Sequence, residues 1–191
     1  MCALMLTLND EQKRAFRAAV LSAAGRADVR EALRGVYLDV TDAVMRRKPR
    51  CSTSGDCCHF DRFGHRLFVT TIEVAVFLEQ LPVLTAPVPA ASARRQLQLL
   101  TPPRADPPPG EGCVFQVGGL CSVHAIRPFG CRIFFCDPTA ADWQREHYER
   151  FHARLKRLHD ELGVEYAYVE WRQALSAVGL SGDPDTGGKR L

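Results

Sequence analysis

The segment Cys51-Ser52-Thr53-Ser54-Gly55-Asp56-Cys57-Cys58-His59 decides how this chain is interpreted, because it gathers three thiols into one short loop. Four more thiols follow in a second group, so the two groups hold seven of the eight cysteines: Cys51, Cys57, Cys58, Cys113, Cys121, Cys131 and Cys136. Thiolates are the soft ligands that select zinc, copper(I) or iron–sulfur clusters. The pattern therefore predicts one thiolate-rich metal centre to which both groups contribute.

Chain length and the N-terminus argue against disulfides as the purpose of these cysteines. A chain of 191 residues can bury an ordinary hydrophobic core without cross-links. The apolar residues 1–8 lack the basic segment of a secretory signal, and no stretch approaches the roughly 18 apolar residues of a membrane span. We expect a cytoplasmic protein without a membrane partner. The net charge of +3 is too small to indicate nucleic acid, and the basic run 46–50 closes a predicted helix.

Hydrophobic periodicity predicts helices on both sides of the cysteine groups. The N-terminal helices run from about Asp10 to Ala24 and from Asp28 to Arg47. Thr70 and Glu73 form a capping box that starts a third helix, which is expected to end near Gln80. Later helices are predicted at 140–162 and 169–178.

The remaining segments are predicted to be irregular, apart from one hairpin. A Pro-rich connector covers 82–112, with a short helix at 91–100, and 181–191 reads as a disordered tail. Gly118-Gly119 predicts a two-residue hairpin in which Val117 pairs with Leu120. That register places Cys113 and Cys121 on opposite faces, so a shared site would require a glycine bulge.

The predicted fold class is mainly α with a small β-hairpin, in which flanking helices pack around an irregular cysteine-rich metal core. We divide the single domain into an N-terminal helical segment (1–50), the cysteine core (51–136), the C-terminal helices (137–180) and the tail (181–191).

The adjacent Cys57 and Cys58 bear on the choice of metal. In an extended backbone neighbouring side chains point in opposite directions, so both would bind one ion only through a tight turn. They would serve an iron–sulfur cluster, two metals, or one ligand and one packing thiol. The all-cysteine inventory and the adjacent pair favour an iron–sulfur cluster, whereas the separated pairs of ligands favour zinc.

Two arginines bracket Cys131, and several histidines lie near the cysteines or on the last long helix. Arg127 and Arg132 are expected to stabilise the anionic centre from behind the thiolates. The histidines are expected not to be ligands: His59, His65 and His124 because seven thiols suffice, and His152 and His159 because their helix is rich in arginine and reads as a solvated surface.

These motifs carry a resemblance to a known family. In chain order they are Cys51-x2-Ser54-Gly55-x-Cys57-Cys58, Thr71 and Glu73, Cys113-Val114-Phe115, Cys121-Ser122-Val123-His124, Arg127-Pro128 and Cys131-Arg132-x-Phe134. This series resembles the YkgJ-type cysteine-cluster family, described as a zinc- or iron-chelating domain. The resemblance covers about residues 51–136. Ser54 stands where the family's first motif has a cysteine, so either Cys136 takes that ligand position or the site keeps an open one.

Two functions of different classes follow. The first is a metal-binding protein with a redox or sensing role. The second, implied by the resemblance, is an S-adenosylmethionine-dependent enzyme like the flagellin lysine N-methylases, although the chain lacks a Gly-rich strand-to-helix loop for such a cofactor. A nucleophilic Cys131, activated by an arginine with His124 as base, is a third possibility.

Overall fold

The computed structural model describes residues 7–51, 55–85 and 112–180. This part of the chain is mainly helical, as predicted, with two small antiparallel sheets. Its helices are α1 (Asp10–Ala23), α2 (Ala27–Arg47), α3 (Phe60–Phe63), α4 (Thr71–Thr85), α5 (Phe129–Ile133), α6 (Ala141–Leu162) and α7 (Trp171–Ala177). Its strands are β1 (Phe68–Thr70), β2 (Gln116–Val117), β3 (Leu120–Cys121) and β4 (Tyr168–Glu170).

The two N-terminal helices lie where the periodicity predicts them. The Asn9 side chain accepts a hydrogen bond from the Gln12 N–H, and the Gln12 side chain accepts one from the Asn9 N–H, which fixes the start of α1. Gly25, with φ of 79°, follows the end of α1 and allows α2 to begin at Ala27. Both helices pack against α4.

Helix α4 is the centre of the molecule. Residues 71–77 are all buried, so the helix is covered on every side rather than on one face. It extends past the predicted end at Gln80 to Thr85, and Leu81, the first residue beyond that end, is buried. The first residues of the predicted connector, 82–85, thus belong to α4, and residues 86–111, including the predicted helix at 91–100, lie outside the described part.

A two-stranded sheet joins residues that lie far apart in sequence. Strand β1 pairs antiparallel with β4, and Val69 lies opposite Val169. The Trp171 N–H extends the pairing by donating to the Leu67 carbonyl at 2.8 Å. The helix predicted at 169–178 therefore begins only at Trp171, because pairing with β1 holds residues 168–170 extended.

Helix α6 corrects the prediction of a solvated histidine surface. His159 is 1% exposed and His152 is half-buried. His159 follows Leu155 by one turn and so shares its buried face, and its Nδ1 donates to the Val164 carbonyl at 3.2 Å. Gly163, with φ of 61°, ends the helix as predicted. The predicted tail at 181–191 lies outside the described residues.

Candidate metal centre

The first cysteine group is held by a tight turn. Asp56–Cys58 forms a 3-10 turn, closed by the Cys58 N–H donating to the Gly55 carbonyl at 2.9 Å. Gly55 has φ of 75°, and a Cβ there would lie 2.4 Å from the Gly119 carbonyl oxygen. Only glycine allows this contact between the turn and the hairpin. Because the backbone is turned here and not extended, the Cys57 and Cys58 side chains need not point in opposite directions.

The hairpin brings the second group to this turn. Val117 pairs with Leu120 and Gln116 with Cys121, in the predicted register, with positive φ at both glycines of the turn. The described hairpin has no glycine bulge, which a shared site for Cys113 and Cys121 would have required if both lay in the paired strands. Cys113 precedes the short strands, and its N–H donates to the Cys58 carbonyl at 2.9 Å. Because Cys113 is outside the ladder, the alternation of faces does not separate it from Cys121.

Four thiols meet at this junction: Cys57, Cys58, Cys113 and Cys121, hereafter the thiol cluster. The buried Cys58 thiol lies within hydrogen-bonding reach of the other three, and its single proton can be donated to any one of them. These contacts, with burial, raise the pKa of Cys58 far above its ordinary value. Hydrogen bonding with Cys58 is the main cause that lowers the pKa of Cys57 and of Cys121 to about 7, and it also lowers the pKa of Cys113.

The Cys58 sulfur lies at the centre of the thiol cluster, where a metal ion bound by all four thiols would have to lie. Within residues 7–51, 55–85 and 112–180, no three His, Cys, Asp or Glu side chains are arranged as a group that could hold a metal ion. The Cys58 thiol is instead the common partner of the three other thiols. An ion shared by all four sulfurs therefore requires Cys58 to lose its proton and the side chains to rearrange.

Cys131 lies at the edge of the cluster. Burial raises its pKa well above the ordinary value, and the nearby Cys113 and Cys121 raise it further. The His124 Nε2, the proposed base, is engaged by the Arg127 guanidinium. A neutral thiol whose base is already engaged does not fit an activated nucleophile, which requires a lowered pKa.

The two arginines beside Cys131 have different surroundings. Arg127 lies near the cluster and helps to lower the pKa of Cys57 and Cys121. Arg132 instead braces the chain: its Nε donates to the Arg127 carbonyl at 2.8 Å and its guanidinium lies 4.1 Å from the centre of the Tyr37 ring.

Two residues near the thiols carry buried hydrogen-bond donors. The Arg127 Nε and the Trp171 indole N–H are buried, and neither has a nitrogen or oxygen partner in the described part of the chain. The Trp171 N–H has a sulfur partner instead, because it hydrogen-bonds Cys113 and contributes to the lowered pKa of that thiol. A buried donor without a partner, such as the Arg127 Nε, is costly in a neutral site. Both donors suit a site that carries negative charge, as metal-bound thiolates do.

A buried carboxylate, Glu73, fixes the segment that carries Cys131. It accepts hydrogen bonds from the Thr70 N–H at 2.9 Å and the Thr70 hydroxyl at 2.9 Å, and so fulfils its half of the predicted capping box. It also accepts from the Phe129 N–H at 2.8 Å and the Tyr37 hydroxyl at 3.3 Å. The start of α5 is thus tied to the start of α4, a role that the local motif did not indicate.

Two of the other predicted ligands, Cys51 and Cys136, are exposed. Ser54 lies outside the described residues, so the open ligand position stays a prediction. His65 supports the site as a backbone partner, because its Nε2 donates to the Cys57 carbonyl at 3.0 Å.

No family model, curated protein or solved structure matches this chain. The resemblance to the YkgJ-type family therefore stays a prediction that the cysteine motifs alone carry. In the part of the chain that the structure describes, every helix is too short or too polar to cross a membrane.

Proposed function

We propose that this protein binds an iron–sulfur cluster or zinc through the thiol cluster, with Cys131 and Arg127 beside it. The observation that carries the proposal is the contact of the Cys58 thiol with three others, Cys57 on the same turn and Cys113 and Cys121 from the second cysteine group. Such convergence of cysteines is uncommon unless the thiols bind a metal or form disulfides. The buried donors of Arg127 and Trp171 support the metal, because they would hydrogen-bond thiolate sulfur.

The protein's own contribution is to hold the ligands and to compensate their charge. The turn at Asp56–Cys58 and the Cys113–Cys58 backbone bond fix the positions from which the thiols reach the centre. Arg127 supplies positive charge beside Cys57 and Cys121. A bound iron–sulfur cluster would supply one-electron redox chemistry, whereas zinc would supply a redox-inert cross-link.

The test is metal content after anaerobic purification. We expect stoichiometric zinc, or iron with matching sulfide and the absorption and EPR signals of a cluster. Cys57→Ser and Cys51→Ser form a matched pair, because both thiols are exposed and belong to the same group. Cys57→Ser should lose most of the metal, whereas Cys51→Ser should keep it.

Two results would contradict the proposal. The first is wild-type protein that binds neither zinc nor iron. The second is an equal loss of metal from both variants, which would place the ligands outside the thiol cluster. Circular dichroism of each variant separates loss of a ligand from loss of the fold. The methylase alternative stays a prediction, and calorimetric titration with S-adenosylmethionine tests it.

A further inference from the structure

A cavity of about 260 Å³ adjoins the thiol cluster. Two cysteines, Cys57 and Cys131, form part of its lining. Most of the remaining wall is apolar and largely aromatic: Phe60, Leu67, Phe68, Ile133, Phe134 and Tyr148. Apolar cavities with a few polar groups at their edges are the usual form of small-molecule sites. A molecule in this cavity would lie directly against one side of the cluster.

The cavity is preformed by packing around His65. The His65 ring stacks on Phe134 with centroids 5.2 Å apart and meets the edge of Phe60 at 5.6 Å. Its Nε2 is held by the Cys57 carbonyl. On the other side, a Cβ at Gly130 would lie 2.5 Å from the Leu67 Cδ1, so the glycine allows α5 to approach Leu67 closely. A wall rich in aromatic side chains favours an aromatic guest, which can stack on a ring or meet its edge.

The cavity is open on one side and has room for one or two rings. Benzene occupies an engineered protein cavity of roughly 150 Å³. The volume of about 260 Å³ therefore accommodates a bicyclic ring with a short substituent.

The positive charges around the cavity favour a ligand whose substituent is negatively charged. Arg66 and Arg145 line it, and among its described lining residues there is no Asp or Glu. Arg145 is already paired with Asp142 at 2.9 Å, which leaves Arg66 as the main partner for a ligand's charge. A guanidinium matches the geometry of a carboxylate, whereas it repels an amine. The same charges disfavour the side chain of a lysine substrate.

We propose that this cavity binds a small planar aromatic carboxylate, with its ring among Phe60, Phe134 and Tyr148 and its carboxylate at Arg66. This inference goes beyond the metal centre and does not depend on it. A molecule bound in the cavity would restrict access to that centre, because it would cover the Cys57 side of the cluster.

Three probes of matched shape test the proposal by NMR titration of the full-length protein: indole-3-acetate, indole-3-acetamide and tryptamine. We expect the acetate to bind most tightly, the neutral amide more weakly and the amine weakest. Intermolecular NOEs should connect the indole protons to the rings of Phe134 and Tyr148. Arg66→Gln should weaken the acetate about fivefold and leave the amide unchanged. Arg62→Gln is the matched control, because Arg62 is also exposed but does not line the cavity.

The proposal is overturned if tryptamine binds as tightly as indole-3-acetate, or if both arginine variants behave alike. It is also overturned if none of the probes binds at millimolar concentration, or if the NOEs arise elsewhere. Metal content is measured on the same samples, so the two proposals fail separately. Protein that binds indole-3-acetate but no metal would contradict only the proposed function.

Discussion

Replacement of Glu73 by glutamine tests the packing behind the candidate centre. Glu73 is 3% exposed, and its two oxygens serve donors on different segments, Thr70 on one side and Phe129 with Tyr37 on the other. The amide in Glu73→Gln has one acceptor oxygen and two N–H donors. It can therefore satisfy one side, while the other side meets a donor instead of an acceptor.

The magnitude follows from the donors that lose their partner. Each buried donor left unsatisfied costs about 1–3 kcal/mol. Burial raises the pKa of Glu73, which means that the buried charge itself is unfavourable, and its removal offsets part of this loss. We expect Glu73→Gln to lower the free energy of unfolding by about 2–3 kcal/mol at pH 7.

Urea denaturation measures this change, with the fluorescence of the buried Trp171 as the signal and metal content matched between samples. Glu79→Gln is the control on the same helix. Glu79 pairs with Arg30 at a partly exposed position, so its loss should cost less than about 1 kcal/mol. The reasoning is refuted if the two variants have equal stability at an unchanged urea dependence.

Two further predictions concern the turn and the buried histidine. Gly55→Ala should lower the free energy of unfolding by about 3 kcal/mol or more and release bound metal, because its Cβ meets the Gly119 carbonyl. Gly64→Ala, at a positive φ but in open space, should lower it by only about 1 kcal/mol. Thermal unfolding and metal analysis compare the two variants, and equal losses of stability would contradict the role of the contact. Burial lowers the pKa of His159, so the unfolded chain binds its proton more readily and stability should fall as pH drops below 6.5, by at most about 1.4 kcal/mol per pH unit. His159→Asn keeps a donor for the Val164 carbonyl, and a series of urea titrations from pH 7 to pH 5 should show a smaller decline; an identical decline would show that other groups cause it.

Local patterns in the sequence predicted the elements that local physics determines. The helical stripe of α2 and its end before Pro49 follow from apolar spacing and from the missing N–H of proline. The hairpin register follows from Gly118-Gly119, because the turn type fixes which residues face each other. In the candidate site, Cys57, Cys58, Cys113 and Cys121 meet as the two-group pattern predicts, although the metal itself stays a prediction.

The missed features all depend on contacts between distant segments. Strands β1 and β4 have only three residues each, which is too few to show an alternation of apolar and polar residues. About a hundred positions separate them, so no turn motif in the sequence indicates that they pair. The motif at Thr70 revealed only one of the two roles of Glu73, because Phe129 lies 56 residues away. His159 was misplaced because the charged residues of its helix outnumber the apolar ones, so the buried face that it shares with Leu155 is hard to recognise in the sequence.

The burial of residues 71–77 of α4 on every side has a consequence for synthesis of the chain. Its partners α1 and α2 precede it, so one side can be covered soon after it emerges from the ribosome. Phe77 also packs against Trp171, with ring centroids 5.1 Å apart. Strand β1, which precedes α4, can pair only after β4 has been synthesised. Until these C-terminal residues are made, an apolar helix remains partly uncovered, which is the condition under which nascent chains aggregate or recruit chaperones.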